Sequence, residues 1–235
     1  MKYAVDLHIH SAASPCADKD MTPNNIVNMA LVKGLDAIAV TDHNTGANLK
    51  AVALCAKKAG LVFIPGIEVE TSEEVHVVCL LPDLDRALEL HTIVQNALPD
   101  IMNRTDIFGS QLIIDENDMT IGQEQRMLLT ATNLSIDDIS AVVRRLGGAV
   151  IPAHVDRTSY SIISNLGFIP QELGFRYLEI SRSCDKYGYR ASHPELDRYR
   201  LIQSSDAHYL GDILERCSML ELEGLNADAI VTYLA

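Results

Sequence analysis

The feature that most constrains this chain is the regular alternation of short Val/Ile/Leu-rich runs with helical segments. The runs are Tyr3 to Leu7, Ala37 to Thr41, Val62 to Ile67, Val75 to Leu81, Ala149 to Ala153, Tyr177 to Ser181, Leu201 to Ser205 and Ser218 to Leu222. Each is too short for a helix and apolar enough to be a strand buried on both faces. Helical patterns lie between most of them. Thr22 and Pro23 open one that Gly34 ends, and another runs from about Ala47 to Gly60. A third spans about Leu84 to Leu98. A fourth starts at Ser135, with Asp138 three residues on, and stops at Gly147-Gly148; Asn226 to Leu234 forms the last. Such alternation predicts an α/β fold with a mostly parallel sheet, open or closed into a barrel.

The stretch 103–134 breaks the pattern. Gln111 to Asp115 and Thr120 to Glu124 flank the turn-like Glu116-Asn117-Asp118, which predicts an inserted β-hairpin. No repeat or linker divides the remainder, so residues 1–235 are expected to form one domain.

Among the 235 residues, 48% are hydrophobic, enough for a sizeable core, yet no run approaches a membrane span. The N-terminus lacks the basic start and apolar run of a signal peptide. The five cysteines form no C-x-x-C pair and suit a reduced, cytoplasmic setting. A net charge of -13 argues against a duplex-DNA binder and leaves small phosphorylated molecules or short oligonucleotides open.

Histidines and carboxylates collect at the strand ends. His8 and His10 close the first strand, Asp42-His43 follows the second and Glu68 the third. His76 sits early in the fourth, His154 follows the fifth, and Asp206 and His208 follow a later one. In parallel α/β folds, loops from several units converge at the carboxyl ends of strands. Residues i and i+2 on a strand share a side, which pairs His8 with His10 and Asp206 with His208. Any one of these has an ordinary structural explanation. Together they predict a divalent-metal cluster, with mixed imidazole and carboxylate ligands suited to Zn, Mn or Fe.

The motifs D-L-H-I-H at 6–10, T-D-H-N at 41–44, G-I-E at 66–68, single His76 and His154, and S-D-A-H at 205–208 resemble the polymerase and histidinol phosphatase (PHP) family of phosphoesterases. The resemblance implies a distorted, TIM-barrel-like (β/α)7 barrel carrying two or three metals. It places His8, His10, Glu68 and Asp206 around one metal, with Glu68 bridging to a second held by His76 and His154. A third would take His43, His208 and a residue after the first motif. Here the sequence departs from the family's usual Ser-Asp; Asp18 fits by ligand type, with Cys16 and Asp20 as alternatives.

The implied reaction is hydrolysis of a small phosphorylated metabolite or nucleotide by a metal-bound hydroxide. Glu68, Asp206 and His208 are its candidate catalytic residues, and Arg157 and Arg182 candidate phosphate grips. Tyr187 and Tyr189 are spaced either to stack on a base or to pack, whereas His91 and His193 are not expected to be ligands. Two other readings compete. A metallo-amidohydrolase also uses H-x-H, but often adds a bridging lysine at a strand end, which is lacking here. A non-catalytic metal-binding regulatory module would be expected to have lost ligands.

Overall fold

Apolar runs shorter than a stable helix pair as strands, and the longer amphipathic segments cover them. The computed structural model describes residues 1–235, beginning with β1 (Lys2–Ile9) and α1 (Pro23–Val32). β2 (Ala37–Val40), α2 (Leu49–Ala59), β3 (Val62–Glu70) and β4 (His76–Leu80) follow. α3 (Leu84–Ala97) and the single turn α4 (Thr105–Phe108) lead to β5 (Leu112–Ile114) and β6 (Thr120–Gln123). Then come α5 (Ile136–Arg145), β7 (Ala149–Pro152), α6 (Ile162–Leu166) and β8 (Tyr177–Ile180). α7 (Lys186–Ser192), β9 (Arg200–Gln203), β10 (Met219–Glu221) and α8 (Ala227–Leu234) complete the chain. No helix is long and apolar enough to cross a membrane.

The caps explain the helix limits. Thr22 accepts from the Asn25 amide at the start of α1, and Gly60 ends α2 in the left-handed conformation that glycine adopts freely. Ser135 and Asp138 form a reciprocal capping box on α5.

The main sheet has the order β10-β1-β2-β3-β4-β7, with β8-β9 as a separate parallel pair. It is mixed, not mostly parallel. β1, β2 and β3 run parallel, but β3 pairs antiparallel with β4, as do β4 with β7 and β1 with β10. The cause is the tight Thr71–Val75 turn, whose amide and carbonyl groups bond across it and leave no room for a crossover helix. The sheet curls strongly into a half-barrel. At its two ends, Ile9 bridges to Ala207 and the Val155 amide bonds to Glu179 O, drawing β8–β9 into the curl.

Three apolar clusters hold this frame. Ile26, Val27, Val52 and Ala56 of α1 and α2 pack on Ile38 and Val40 outside the sheet. Leu90 and Val94 of α3 and Ile139 and Val143 of α5 cover Val69, Val77 and Cys79. Ile230, Val231 and Leu234 of α8 close one end against Val5, Ala37, Ile64 and Leu80. The opposite end, where β1, β2, β3, β7, β8 and β9 terminate, is left for the loops. The expected hairpin is present as β5–β6. It is tied to the loop after β1 through Leu112 N to Ala12 O, and to α2 by Asn48 Oδ1, which accepts the Ile114 amide.

Candidate metal centre

At that loop end, β1 delivers His8 and His10 side by side. A register shift between Asp6 and Ile9 interrupts the strand where these two residues turn inward. β3 delivers Glu68, and the loop after β9 delivers Asp206. Ligand atoms of His8, His10, Glu68 and Asp206 all lie within 4.8 Å of one another.

The hydrogen bonds behind these residues fix where the protons are. His8 Nδ1 lies 2.9 and 3.1 Å from the two oxygens of Glu179. A carboxylate accepts, so Nδ1 holds a proton and Nε2 is the nitrogen turned to the cluster. His10 Nδ1 is 2.9 Å from Ser14 Oγ, whose single proton goes to Asp42 Oδ1 at 2.7 Å. Ser14 therefore accepts from His10, whose Nε2 presents a lone pair. The two Nε2 atoms are 3.1 Å apart, and Asp206 Oδ1 lies 2.9 Å from that of His10 and 3.4 Å from that of His8. Glu68 adds Oε1 at 3.3 Å from His8 and Oε2 at 3.5 Å from His10.

Two imidazole nitrogens and two carboxylates thus face one another in a buried space. Only positive charge makes such a cluster stable. Burial lowers the His8 pKa, but Glu179, Glu68 and Asp206 together hold it well above the usual imidazole range. Burial, with His208 and His43 nearby, drives His10 well below it. Burial opposes ionisation of Glu68, yet His76, His8 and His43 keep it well below the ordinary carboxylate range. A divalent cation would satisfy all four donors at once, so the residues fit a bound metal.

Glu68 reaches further. Its Oε1 is 3.0 Å from His76 Nδ1 and 3.3 Å from His154 Nε2. Its Oε2 is 2.8 Å from His43 Nδ1 but has no aligned hydrogen-bond donor, although the side chain is 1% exposed. His76 reaches the site from the first residue of its strand because β4 runs antiparallel: its beginning lies at the ends of the others, with His76 opposite Glu70. His10, His43 and His208 form a third group within 4.8 Å, and the His10 and His208 rings stack at 4.2 Å. Asn44, His154 and Asp206 all have positive φ, at 51°, 31° and 51°, a concentration of backbone strain around the cluster.

Carboxylates behind the ligands hold them in place, and one of these, Glu179, escaped the sequence reading. Glu179 is 2% exposed and accepts from both His8 Nδ1 and the His154 amide. A carboxylate within the apolar run Tyr177–Ile180 was its signal, the same one that marked Glu68. Asp42 accepts from Ser11 N, Ser11 Oγ and Ser14 Oγ, locking the loop after β1. Asp6 accepts the amides of Ser205 and Leu214, fixing the segment that carries Asp206 and His208.

Arg157 Nη1 lies 2.7 Å from Asp206 Oδ2, at the edge of the cluster and half exposed. Arg182 is bound instead by Asp212 at 2.9 Å. Asp18 joins none of the three groups; its Oδ1 accepts the Asp20 amide. Cys16 is exposed and joins none of the three groups either, although His208 and His43 act on its thiol. Burial would raise that thiol, but the two imidazoles bring it down to about 6. His91 accepts the Gly46 amide and His193 bonds within its own turn, both away from the site. Tyr189 packs, giving its hydroxyl to Val155 O, and Tyr187 is exposed.

The model of the PHP domain matches residues 6–183. The chain belongs to the PHP family. Among its relatives, a 5'-3' exoribonuclease of Haemophilus influenzae is 36% identical over 78 residues, 32% of this chain and 27% of that protein. A 3',5'-nucleoside bisphosphate phosphatase of Chromobacterium violaceum is 34% identical over 79 residues, again 32% and 27%. The chain thus matches less than a third of the length of either relative. The lesion-specific endonuclease PfuEndoQ of Pyrococcus furiosus superimposes with a TM-score of 0.68 at 21% identity, covering 100% of this chain and 57% of that one. At that identity the likeness establishes the PHP fold alone.

Proposed function

We propose that this PHP protein is a metal-dependent phosphoesterase that hydrolyses a nucleotide or a short single-stranded oligonucleotide. The observation that carries the reading is the convergence of the His8 and His10 Nε2 atoms on Glu68 and Asp206. The residues would hold metals as follows: His8, His10, Glu68 and Asp206 at one site, and Glu68 with His76 and His154 at a second. A third would rest on His43 and His208. We read the curled sheet with β8–β9 as a distorted (β/α)7 barrel and residues 1–235 as one domain, in keeping with the bridge between Ile9 and Ala207.

When bound, such metals supply Lewis acidity, which lowers the pKa of water and neutralises phosphoryl charge. The chain's own groups do the rest. Glu68 offers one oxygen to each side of the cluster, so it sets the spacing of what is held there. Glu179 and Ser14 accept from Nδ1 of His8 and His10, so Nε2 is the nitrogen that each ring turns to the cluster for ligation. Asp206 holds Arg157 by one carboxylate oxygen and faces His10 with the other. Arg157 has no second protein partner, so its remaining N–H groups are available to a phosphate. His208 donates Nδ1–H to Asp206 O at 2.9 Å, which turns its Nε2 lone pair outward as a ligand and argues against a proton-donor role.

Nucleotide substrates suit the names of the two relatives, and a net charge of -13 disfavours a long polyanion. The test is hydrolysis by protein reconstituted with Zn, Mn or Fe. Nucleoside 3',5'-bisphosphate, a short 5'-phosphorylated oligoribonucleotide, p-nitrophenyl phosphate and a cyclic amide would be compared. Metal-dependent release from the first two is the expected outcome. Cleavage of the amide alone would overturn the reading in favour of an amidohydrolase. Stoichiometric metal with no turnover across the panel would point to a non-catalytic module.

A further inference from the structure

The loop that follows β7 brackets the cluster. Arg157 reaches Asp206 Oδ2 on one side, and three residues on, the Tyr160 ring lies against the His76 ring. These two rings stack, with centroids 4.9 Å apart and planes 29° from parallel. Hydrogen bonds fix the loop along its length. The Arg157 amide donates to His154 O, Ser161 Oγ donates to Arg157 O, and the His76 amide donates to Tyr160 O at 2.9 Å. Ser161 then caps α6, whose Ile162 is fully buried in the core. Tyr160 itself adds little to that core, being 47% exposed. Yet its backbone is held at φ 55°, a left-handed conformation that is an outlier for a bulky side chain. Burial does not offset that strain, so the ring's placement beside the cluster points to a contact made outside the folded chain.

We propose that Tyr160 is a stacking platform for the base of a nucleotide whose phosphate sits on the metal cluster and Arg157. The proposal rests on the reading of the cluster as the metal centre of a phosphoesterase. His76 takes one side of the tyrosine ring, and the exposed remainder is a planar aromatic surface one ring away from Glu68. Such a surface offers a base stacking but no pattern of donors and acceptors. It therefore distinguishes a nucleotide from a sugar phosphate, not one base from another.

The chain contains no tryptophan, so Tyr160→Trp places a single indole fluorophore at the platform. In the zinc-loaded variant, AMP should quench this fluorescence saturably, whereas ribose 5-phosphate should bind without quenching; calorimetry alongside reports whether each binds. In turnover, the wild type should prefer a nucleoside 3',5'-bisphosphate over the corresponding abasic ribose bisphosphate. Tyr160→Ala should shrink that preference by about 5–150-fold, through KM for the nucleotide, with metal content unchanged. Tyr160→Phe should keep it, because stacking needs the ring and not the hydroxyl. An equal loss on both substrates, or loss of metal along with the ring, would mean that Tyr160 only props His76 and would overturn the proposal. AMP that binds without quenching, or does not bind the metal-loaded protein, would overturn it too while leaving the metal centre intact. A wild type that binds no metal would remove the underlying reading as well. The fluorescence titration decides the matter even where no substrate is turned over.

Discussion

At the scale of single residues, the centre depends on which nitrogen of each histidine carries a proton. Glu179 sets this for His8, and its other contact, the His154 amide, ties two ligand-bearing segments together. Glu179→Gln keeps the shape but can offer only one acceptor oxygen, so metal affinity should fall about 10–100-fold with little loss of fold. Competition with a chromogenic chelator would measure it, and unchanged affinity would rule out the orienting role. Every histidine that the sequence placed at a strand end reached the cluster, because strand ends converge whatever the loops do. Asp18 did not follow the expectation. Ligand type alone favoured it, but the hydrogen bonds that orient a loop side chain are not written in spacing, and here one holds Asp18 Oδ1 on the Asp20 amide. Arg157 and Arg182 looked alike in sequence; only the former is drawn to Asp206.

At the scale of elements, two ends of the fold should respond differently. Asn226 caps α8 by accepting the Ala229 amide at 2.8 Å, and α8 closes the end opposite the metals. Asn226→Ala should cost about 1 kcal/mol in urea unfolding while leaving metal content unchanged. Gly109 has φ of 94° and lies against Pro15. Gly109→Ala should destabilise by about 1–3 kcal/mol and, by shifting the loop that carries Ser14, also weaken metal binding at His10, read by unfolding and elemental analysis together. Helices and the β5–β6 hairpin were legible because caps, glycines and turn residues mark them locally. Strand direction was not. Alternation suggested parallel neighbours, and the antiparallel β3–β4 pair depends on the shortness of the Thr71–Val75 turn, which also explains why His76 lies at the start of its strand and still joins Glu68.

At the scale of the molecule, the cluster holds like charges and lone pairs that repel unless a cation binds, so folding and metal binding are coupled. Chelation should lower the melting temperature, and restoring metal at 100 times its Kd should return about 2.7 kcal/mol per site. A melting curve indifferent to chelator would mean that the native cluster is neutralised by protons alone. Glu68 is where the claims meet, since its two oxygens face His8, His10, His43, His76 and His154. The most direct test is therefore the metal content and phosphoester turnover of Glu68→Gln, measured on one sample. Loss of bound metal together with loss of turnover is the predicted result; a variant that stays metal-replete and fully active would contradict the account.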